Sequence, residues 1–208
     1  RVIEPAPQRH GVDAGGDDFA KHGVARGRGI RMEVLWIVRS REGEERVLVV
    51  LPLFHIYSLT VNLLLGMRLD ELLVLHARFD LDTVMSELAA KRITVFAGVP
   101  TMFTAMVNHP KMLAFDLSSL KFCGSGGAPL PAEIEHRFFA LTGCHLNEGL
   151  GMTETSPTGT FTPARGRRKD GSCGMPLPGI RLKFESLGHP GQSAAPGEPG
   201  EMCIAGPN

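Results

Sequence analysis

The sequence predicts an α/β protein built on a doubly wound, mainly parallel sheet, followed by the start of a small β-rich subdomain. Three observations lead to this prediction. Short apolar runs typical of buried strands alternate with amphipathic helical patterns between residues 44 and 163. Glycine-rich turns directly follow two of these strands, as they do at the ligand-binding edge of such sheets. In residues 164–208 the helical periodicity stops, and alternating strand patterns flank a stretch rich in proline and glycine.

The composition is that of a globular domain, with 208 residues of which 43% are hydrophobic and 21% are charged. The formal net charge is +0, so there is no electrostatic case for nucleic acid as a partner. No apolar run reaches the length of a transmembrane segment, while peripheral contact with a membrane stays open. The four cysteines have no paired spacing, so we expect neither a zinc site nor a disulfide framework, and a cytoplasmic location.

The N-terminal segment, residues 1–43, matches none of the motifs described below, and its residues 1–33 show few apolar positions and no helical or strand period. Three arginines among glycines between residues 25 and 31 would suit a nucleic-acid arm, but a solvated tail is the preferred interpretation. We therefore expect this segment to be disordered.

The first predicted elements are a strand, a buried helix and a short second strand. Val47–Leu53 is rich in β-branched residues, and His55 follows it, where open α/β sheets place ligand-binding groups. Ser58–Met67 is apolar enough for a buried helix, and Val74–Leu75 fits a short strand. The alternative is a histidine that satisfies the backbone of a loop.

A helix, a strand and a second helix come next. Asp80 or Asp82 caps the first of these helices, and Ile93–Ala97 forms the strand. Pro100 then opens a helix that continues through Met106. The apolar face of the first helix consists of Leu81, Val84, Met85 and Leu88.

The parallel sheet is completed by two more strands around one helix. Leu120–Cys123 is the first strand, and the turn Ser125–Pro131 leads from it into the helix. Gly143 stands just past the helix end, and Cys144–Asn147 is the second strand. The predicted buried face of this helix consists of Ile134, Phe138 and Leu141.

The C-terminal part of the chain has a different texture. Ala164–Ser172 is polar and basic, and we predict a solvated loop there. Ile180–Phe184 and Glu201–Ala205 alternate like strands. Together they predict a β-rich subdomain.

The stretch Asn147–Pro157 carries candidate chemistry. Its glycines, Gly149 and Gly151, allow sharp turns and close approach to a ligand, and Thr153 and Glu154 follow at once. This pairing suits a nucleotide phosphate, because the hydroxyl can donate to a phosphate oxygen and the carboxylate can hold magnesium. The alternative is a turn whose threonine and glutamate cap the backbone or face water.

A second stretch, Ser125–Pro131, reads Ser-Gly-Gly-Ala-Pro-Leu-Pro, and Leu51–His55 reads Leu-Pro-Leu-Phe-His. In this order with Asn147–Pro157, they resemble motifs of the adenylate-forming superfamily of acyl-CoA synthetases, luciferases and adenylation domains. Gly171–Gly179 and Gly197–Asn208 resemble two later segments of that superfamily. The nearest resemblance is to the long-chain fatty-acid–CoA ligases, in the middle part of their large N-terminal domain.

The resemblance implies that a fatty acid or other carboxylate reacts with ATP to give an acyl-adenylate, and then with coenzyme A to give a thioester. It implies catalytic roles for Thr153, Glu154 and His55, with Glu154 on Mg2+. Leu150 stands where the family usually has a tyrosine that stacks on adenine. The implied nucleotide-binding residues are Ser125, Gly126, Gly127, Ala128, Pro129, Glu148, Gly149, Leu150, Gly151, Met152 and Thr153.

Three parts of the family pattern are missing from the 208 residues: the phosphate loop ending in Lys-Gly, the Thr-Gly-Asp segment, and the C-terminal domain with its catalytic lysine. We therefore expect the isolated chain to be an inactive ligase fragment. A non-catalytic adenine-nucleotide-binding remnant and a structural fragment are the alternatives.

Overall fold

The computed structural model describes residues 43–163, 168–189 and 191–207. The expectation of a disordered N-terminal segment therefore lies, apart from Gly43, outside the described residues. The described strands form one seven-stranded sheet, in the order β2-β1-β3-β4-β5-β6-β7, and a separate two-stranded sheet of β8 and β9. The strands are β1 (Arg46–Val49), β2 (Leu72–Leu75), β3 (Val95–Gly98), β4 (Phe122–Ser125), β5 (Leu146–Gly151), β6 (Thr158–Phe161), β7 (Met175–Pro176), β8 (Arg181–Ser186) and β9 (Gly200–Ala205).

The first five strands are parallel, which confirms the predicted sheet. The strand order reverses at β1: the chain first adds β2 on one side of β1 and then adds β3 and the later strands on the other side. Such a switch point opens a crevice at the carboxyl ends of the strands. β6 and β7 extend the sheet in antiparallel fashion, and the sequence reading did not predict them.

Two predicted strands have different ends in the structure. β1 stops at Val49 rather than at Leu53, because the chain turns at Pro52, whose carbonyl accepts from the His55 amide at 3.0 Å. β5 runs on through the glycine motif to Gly151, since β6 pairs with that half of the strand.

The described α-helices largely follow the prediction. Asp80 is the N-cap of the third helix and accepts from the Thr83 amide at 3.0 Å. Gly143 ends the fifth helix with a φ of 73°, the left-handed conformation that glycine tolerates best. The helices are α1 (Ile56–Ser58), α2 (Leu65–Arg68), α3 (Leu81–Ala90), α4 (Pro100–Val107) and α5 (Ala132–Thr142).

One helical prediction was wrong. On α5, Ile134 and Phe138 are buried as predicted, but Leu141 is 36% exposed. Leu141 lies in the last turn of the helix and lines a shallow groove with Leu113 instead of entering the core.

The segment predicted as one helix over Ser58–Met67 contains a π-helical stretch, Leu59–Leu64, between α1 and α2. Two buried polar side chains bond inside it. Asn62 Nδ2 donates to Ser58 Oγ at 3.0 Å, and Ser58 Oγ donates to the Leu51 carbonyl at 3.0 Å. These bonds tie the segment to the chain that leaves β1.

The larger apolar core lies between the sheet and helices α3, α4 and α5. Its centre is Phe103, whose ring packs edge-on against Phe96 at 5.6 Å and Phe138 at 5.4 Å. These three rings are fully buried, and each contributes on the order of 2 kcal/mol by leaving water. A smaller cluster covers the opposite face of the sheet and is formed by Val47, Val49, Val95 and Phe122.

The remaining predictions concern the C-terminal strands, the cysteines and the membrane. β8 and β9 pair over their whole length, which confirms the two predicted strands. All four cysteines are free thiols, and three of them are buried. In the described ranges no helix has the length and apolarity needed to cross a membrane.

Candidate nucleotide site

The site predicted from the sequence lies at one edge of the sheet. β1, β4 and β5 belong to the parallel part, so their carboxyl ends share that edge. His55 follows β1, Ser125 is the last residue of β4, and Thr153 follows β5. The three segments thus reach the same edge, as expected.

The turn after β4 is held by its backbone and leaves one polar atom unsatisfied. The Gly126 amide donates to the Gly98 carbonyl at 3.2 Å, and Gly127 has a φ of 82°. Ser125 is 1% exposed, and its Oγ has no hydrogen-bond partner in the described part of the chain. Gly127, Ala128 and Pro129 are exposed, so the turn offers a small, bare backbone surface.

Glu148 closes this turn from the neighbouring strand. Its Oε1 accepts from the Leu130 amide at 3.1 Å, and it lies opposite Ser125 in the register of β4 and β5. Leu150, two residues further along β5, is half-buried. The two glycine-rich stretches are therefore joined by a side-chain bond as well as by the sheet.

The glycines of the second stretch are required by close packing within the protein, which the sequence analysis did not predict. A Cβ on Gly149 would lie 2.5 Å from Cδ2 of Phe161 and 3.2 Å from the Thr160 carbonyl. A Cβ on Gly151 would overlap the Pro157 carbonyl. The close approach at both glycines is to the protein's own antiparallel strand and loop.

Thr153 and Glu154 sit on a 3-10 turn, Thr153–Thr155, directly after β5, and both are exposed. Buried Thr155 holds this turn: its Oγ1 accepts from the Met152 amide at 3.0 Å and donates to the Pro157 carbonyl at 2.8 Å. Sequence reasoning missed Thr155, because the usual capping pattern has the hydroxyl at the N-cap, where this chain has Met152.

His55 satisfies local backbone, which was the alternative to a ligand-binding role in the sequence analysis. It is the N-cap of α1, and its Nδ1 accepts from the Tyr57 amide at 3.2 Å. Because Nδ1 acts as an acceptor, the neutral imidazole carries its proton on Nε2. The exposed ring therefore offers an N–H donor at the site edge.

Tyr57 is a residue of this edge that sequence reasoning did not single out. A Cβ on Gly124 would lie 3.1 Å from the Tyr57 Oη, and one on Gly126 would lie 3.3 Å from its Cε1. Burial raises the pKa of the Tyr57 hydroxyl well above its usual range. The ring thus packs the segment after β1 directly against the turn after β4.

The donor chemistry at this edge fits magnesium only as a companion of phosphate. The described residues contain no group of three or more His, Cys, Asp or Glu side chains that could hold a metal ion. Glu154 is exposed on its turn, so it can supply one carboxylate. Mg2+ is commonly bound by one or two carboxylates together with substrate phosphates and water, and this arrangement suits that pattern.

Comparison with known proteins matches this fold and these motifs. Residues 24–208 match the family described as AMP-binding enzyme, so the match begins before Gly43, where the resemblance begins in the sequence reading. The chain is 36% identical over 172 residues to a long-chain-fatty-acid–CoA ligase of Bacillus subtilis, covering 83% of this chain and 30% of the relative. It is 38% identical over 169 residues to a feruloyl-CoA synthase of Amycolatopsis, covering 79% of this chain and 33% of the relative.

Solved structures agree with the curated relatives. ATP-bound MatB from Rhodopseudomonas palustris superposes with a TM-score of 0.77 at 27% identity, covering 85% of this chain and 34% of that one. A benzoate CoA ligase from Burkholderia xenovorans gives 0.75 at 29% identity, covering 84% and 35%. The chain thus spans about a third of the length of the proteins that it matches. It belongs to the AMP-binding enzyme family of adenylate-forming ligases.

Proposed function

We propose that this chain is the adenine-nucleotide-binding part of an ATP-dependent acyl-CoA synthetase. The proposal is supported by curated relatives that are named as CoA ligases or synthases of fatty and aromatic acids. It is also supported by the edge of the sheet, where two glycine-rich stretches, the Thr153 hydroxyl and the Glu154 carboxylate lie at or directly after the ends of the neighbouring strands β4 and β5. A fatty acid or another carboxylate, ATP, Mg2+ and coenzyme A would be the reactants.

The observation that carries the proposal is the unpaired hydroxyl of Ser125. A buried polar atom without a partner costs about 1–3 kcal/mol, so such atoms call for an explanation. Ser125 Oγ lies at the carboxyl end of a central strand, two residues before the exposed backbone of Gly127 and Ala128. A polar atom of a bound nucleotide would satisfy it.

In the proposed reaction a carboxylate attacks the α-phosphate of ATP, which gives acyl-adenylate and pyrophosphate, and the thiolate of coenzyme A then displaces AMP. The chain's own residues position and neutralise charge. The backbone of Gly126–Ala128 forms a wall for adenine, and the Thr153 hydroxyl donates to a phosphate oxygen. Glu154 would hold Mg2+, which would offset the charge of the phosphates, and His55 would offer its Nε2–H at the carboxylate end.

We further propose that the 208 residues alone do not complete thioester formation. The chain spans only 30% of the Bacillus relative, and its sequence contains neither a phosphate loop ending in Lys-Gly nor a Thr-Gly-Asp segment. Loss of one charge-stabilising donor typically lowers kcat by about a hundred- to a thousandfold.

Free cysteines support a reducing compartment, for which we propose the cytoplasm.

The second candidate function is binding of adenine nucleotide without chemistry. The exposed turn at Gly127–Pro129 and the Ser125 hydroxyl favour it, since both suit a ligand and neither supplies a reacting group.

Calorimetry of the purified chain with ATP and Mg2+ tests the shared part of both functions. We expect weak saturable binding. Ser125→Ala should change its Kd, whereas Lys183→Ala, on the separate β8–β9 sheet, should leave the Kd unchanged. Absence of any heat of binding would leave only a structural role. Pyrophosphate exchange with palmitate, measured in a complete enzyme that carries this chain, then separates the two functions, since exchange above a Glu154→Ala control requires adenylation.

A further inference from the structure

A guanidinium group braces the strand that carries the second glycine motif. Arg168 lies in the segment predicted as a solvated loop, yet only 24% of its side chain is exposed. Its Nη1 donates to Asn147 Oδ1 at 2.9 Å, and its Nη2 donates to the carbonyl oxygen of Leu146. The prediction of a solvated loop was therefore wrong at Arg168, because β5 presents two acceptors that match the fork of a guanidinium.

These bonds lie at the start of β5, before the residues that pair with β6 in the described part of the chain. β6 pairs with Gly149–Gly151, and beyond it the Thr162 amide donates to the Glu148 carbonyl at 2.8 Å. Leu146 stands two residues before Glu148, so its carbonyl points to the same edge of the strand. Arg168 thus gives the Leu146 carbonyl a side-chain donor.

Asn147 carries the connection across to the neighbouring strand. It is 5% exposed, and its Nδ2 donates to the Cys123 carbonyl in β4 at 3.1 Å. Cys123 lies two residues before Ser125, and Asn147 lies directly before Glu148. One chain of bonds from Arg168 through Asn147 therefore joins the two strands just before both reach the site.

The positive charge of Arg168 faces the Glu135 carboxylate on α5. Its Nε lies 3.8 Å from Glu135 Oε1 on α5, and that oxygen lies 2.6 Å from His145 Nδ1. Glu135 is only 15% exposed, so the pair is shielded from solvent more than a surface ion pair. A second contact, 3.3 Å from His136 Nε2 to Asp170 Oδ1, links exposed side chains of α5 and the same loop.

We propose that Arg168 is a positioning residue for the nucleotide site: it fixes the register and spacing of β4 and β5 and so places Glu148–Gly151 against the Ser125 turn. This inference rests on the proposed function, because it assumes that nucleotide binds at these segments. Arg168 acts through Leu146 and Asn147 and does not itself contact the ligand. Its role requires the forked geometry, which a lysine cannot reproduce.

The experiment compares Arg168→Met, Arg168→Lys and a matched control, Arg137→Met, in the purified 208-residue chain. Arg137 also bonds a backbone carbonyl, since its Nη2 donates to Val107 O at 3.2 Å, but it lies at the groove between α4 and α5. Three quantities are measured: the Kd for AMP by calorimetry, amide hydrogen exchange of residues 146–151, and the melting temperature.

We expect Arg168→Met to raise the Kd for AMP about tenfold and to speed exchange across residues 146–151. Arg168→Lys should fall between Met and wild type in both, and Arg137→Met should change only the melting temperature. If Arg168→Met does not fold, Arg168→Lys carries the same comparison.

The inference is overturned if both Arg168 variants lower the melting temperature as Arg137→Met does and leave exchange of residues 146–151 at the wild-type rate. It is also overturned if exchange accelerates while the Kd for AMP stays unchanged, because Arg168 would then be structural only. Failure of the proposed function looks different, since the wild-type chain would bind no AMP. In that case, accelerated exchange confined to residues 146–151 would still support the structural part of the inference, that Arg168 fixes β5, and exchange at the wild-type rate would reject that part too.

Discussion

Glu148 and Leu130 are joined by a hydrogen bond between the two glycine-rich stretches of the site, with the Leu130 amide donating to Glu148 Oε1 at 3.1 Å. The bond ties the end of the turn after β4 to the strand that carries the second motif. The carboxylate therefore has a structural partner inside the protein, in addition to the contact with nucleotide that the family resemblance implies.

Removal of this bond should loosen the turn. We expect Glu148→Ala to lower the free energy of unfolding by about 1 kcal/mol, because the Leu130 amide loses its acceptor. Glu148→Gln keeps an acceptor oxygen and should stay near wild type. Urea denaturation of the three proteins measures the effect, and equal midpoints for Ala and Gln would contradict the bond.

A second prediction concerns Tyr57 and Gly124. A Cβ on Gly124 would lie 3.1 Å from the Tyr57 hydroxyl, so Gly124→Ala should destabilise the wild-type protein by about 1–2 kcal/mol through overpacking. Tyr57→Phe removes the atom in closest contact and should reduce that cost. A double-mutant cycle on unfolding free energies measures the coupling, and additive effects would show that Tyr57 does not limit Gly124.

The N-cap of α3 should give a measurable pH dependence. Hydrogen bonds from Thr83 lower the pKa of Asp80, so its contribution to stability is present above the ordinary aspartate pKa and is lost as pH falls through the lowered one. Asp80→Asn keeps the cap without titrating, and it should therefore show a smaller loss of melting temperature between neutral and acid pH. If wild type and Asp80→Asn lose the same amount, the cap does not titrate with folding.

Glu154 should matter for chemistry more than for nucleotide recognition. In a complete enzyme that carries this chain, we expect Glu154→Gln to slow adenylation at least roughly a hundredfold, because magnesium loses a charged ligand. Binding of adenosine without phosphates should stay unchanged, which serves as the control. Pyrophosphate exchange at saturating ATP measures the rate, and full activity would make Glu154 a surface residue of the turn.

A substitution at Leu150 should increase the affinity for AMP. A tyrosine at this position would add stacking on adenine worth about 1 kcal/mol. We expect Leu150→Tyr to lower the Kd for AMP several-fold, while Leu150→Met leaves it near the wild-type value. Calorimetry with AMP makes the comparison, and a weaker complex for the tyrosine variant would place adenine elsewhere.

Local chemistry explains which parts of the fold could be predicted from the sequence. The Asp80 cap, Pro100 at a helix start and Gly143 past a helix end are signals within one turn, and the structure has all three. Buried strands were readable as short β-branched runs such as the one that became β1.

The parts that could not be predicted depend on contacts between distant residues. β6 and β7 form because β5 continues past its parallel partner, and nothing within their own short sequences requires that pairing. Likewise, the Tyr57 ring meets Gly124 and Gly126 only after the sheet has assembled. Arg168 was read as solvated because its partners, Leu146 and Asn147, lie far away along the chain.

The change of partner along β5 has a consequence for the order of folding. Its first half pairs with β4 across an intervening helix, whereas its second half pairs with β6 across one short turn. Hairpins between neighbouring segments form within about 1–10 μs, while parallel pairings must first close a long loop. We therefore expect the motif that carries Gly149–Gly151 to be assembled early from nearby sequence, and to serve as the template onto which the parallel strands later add.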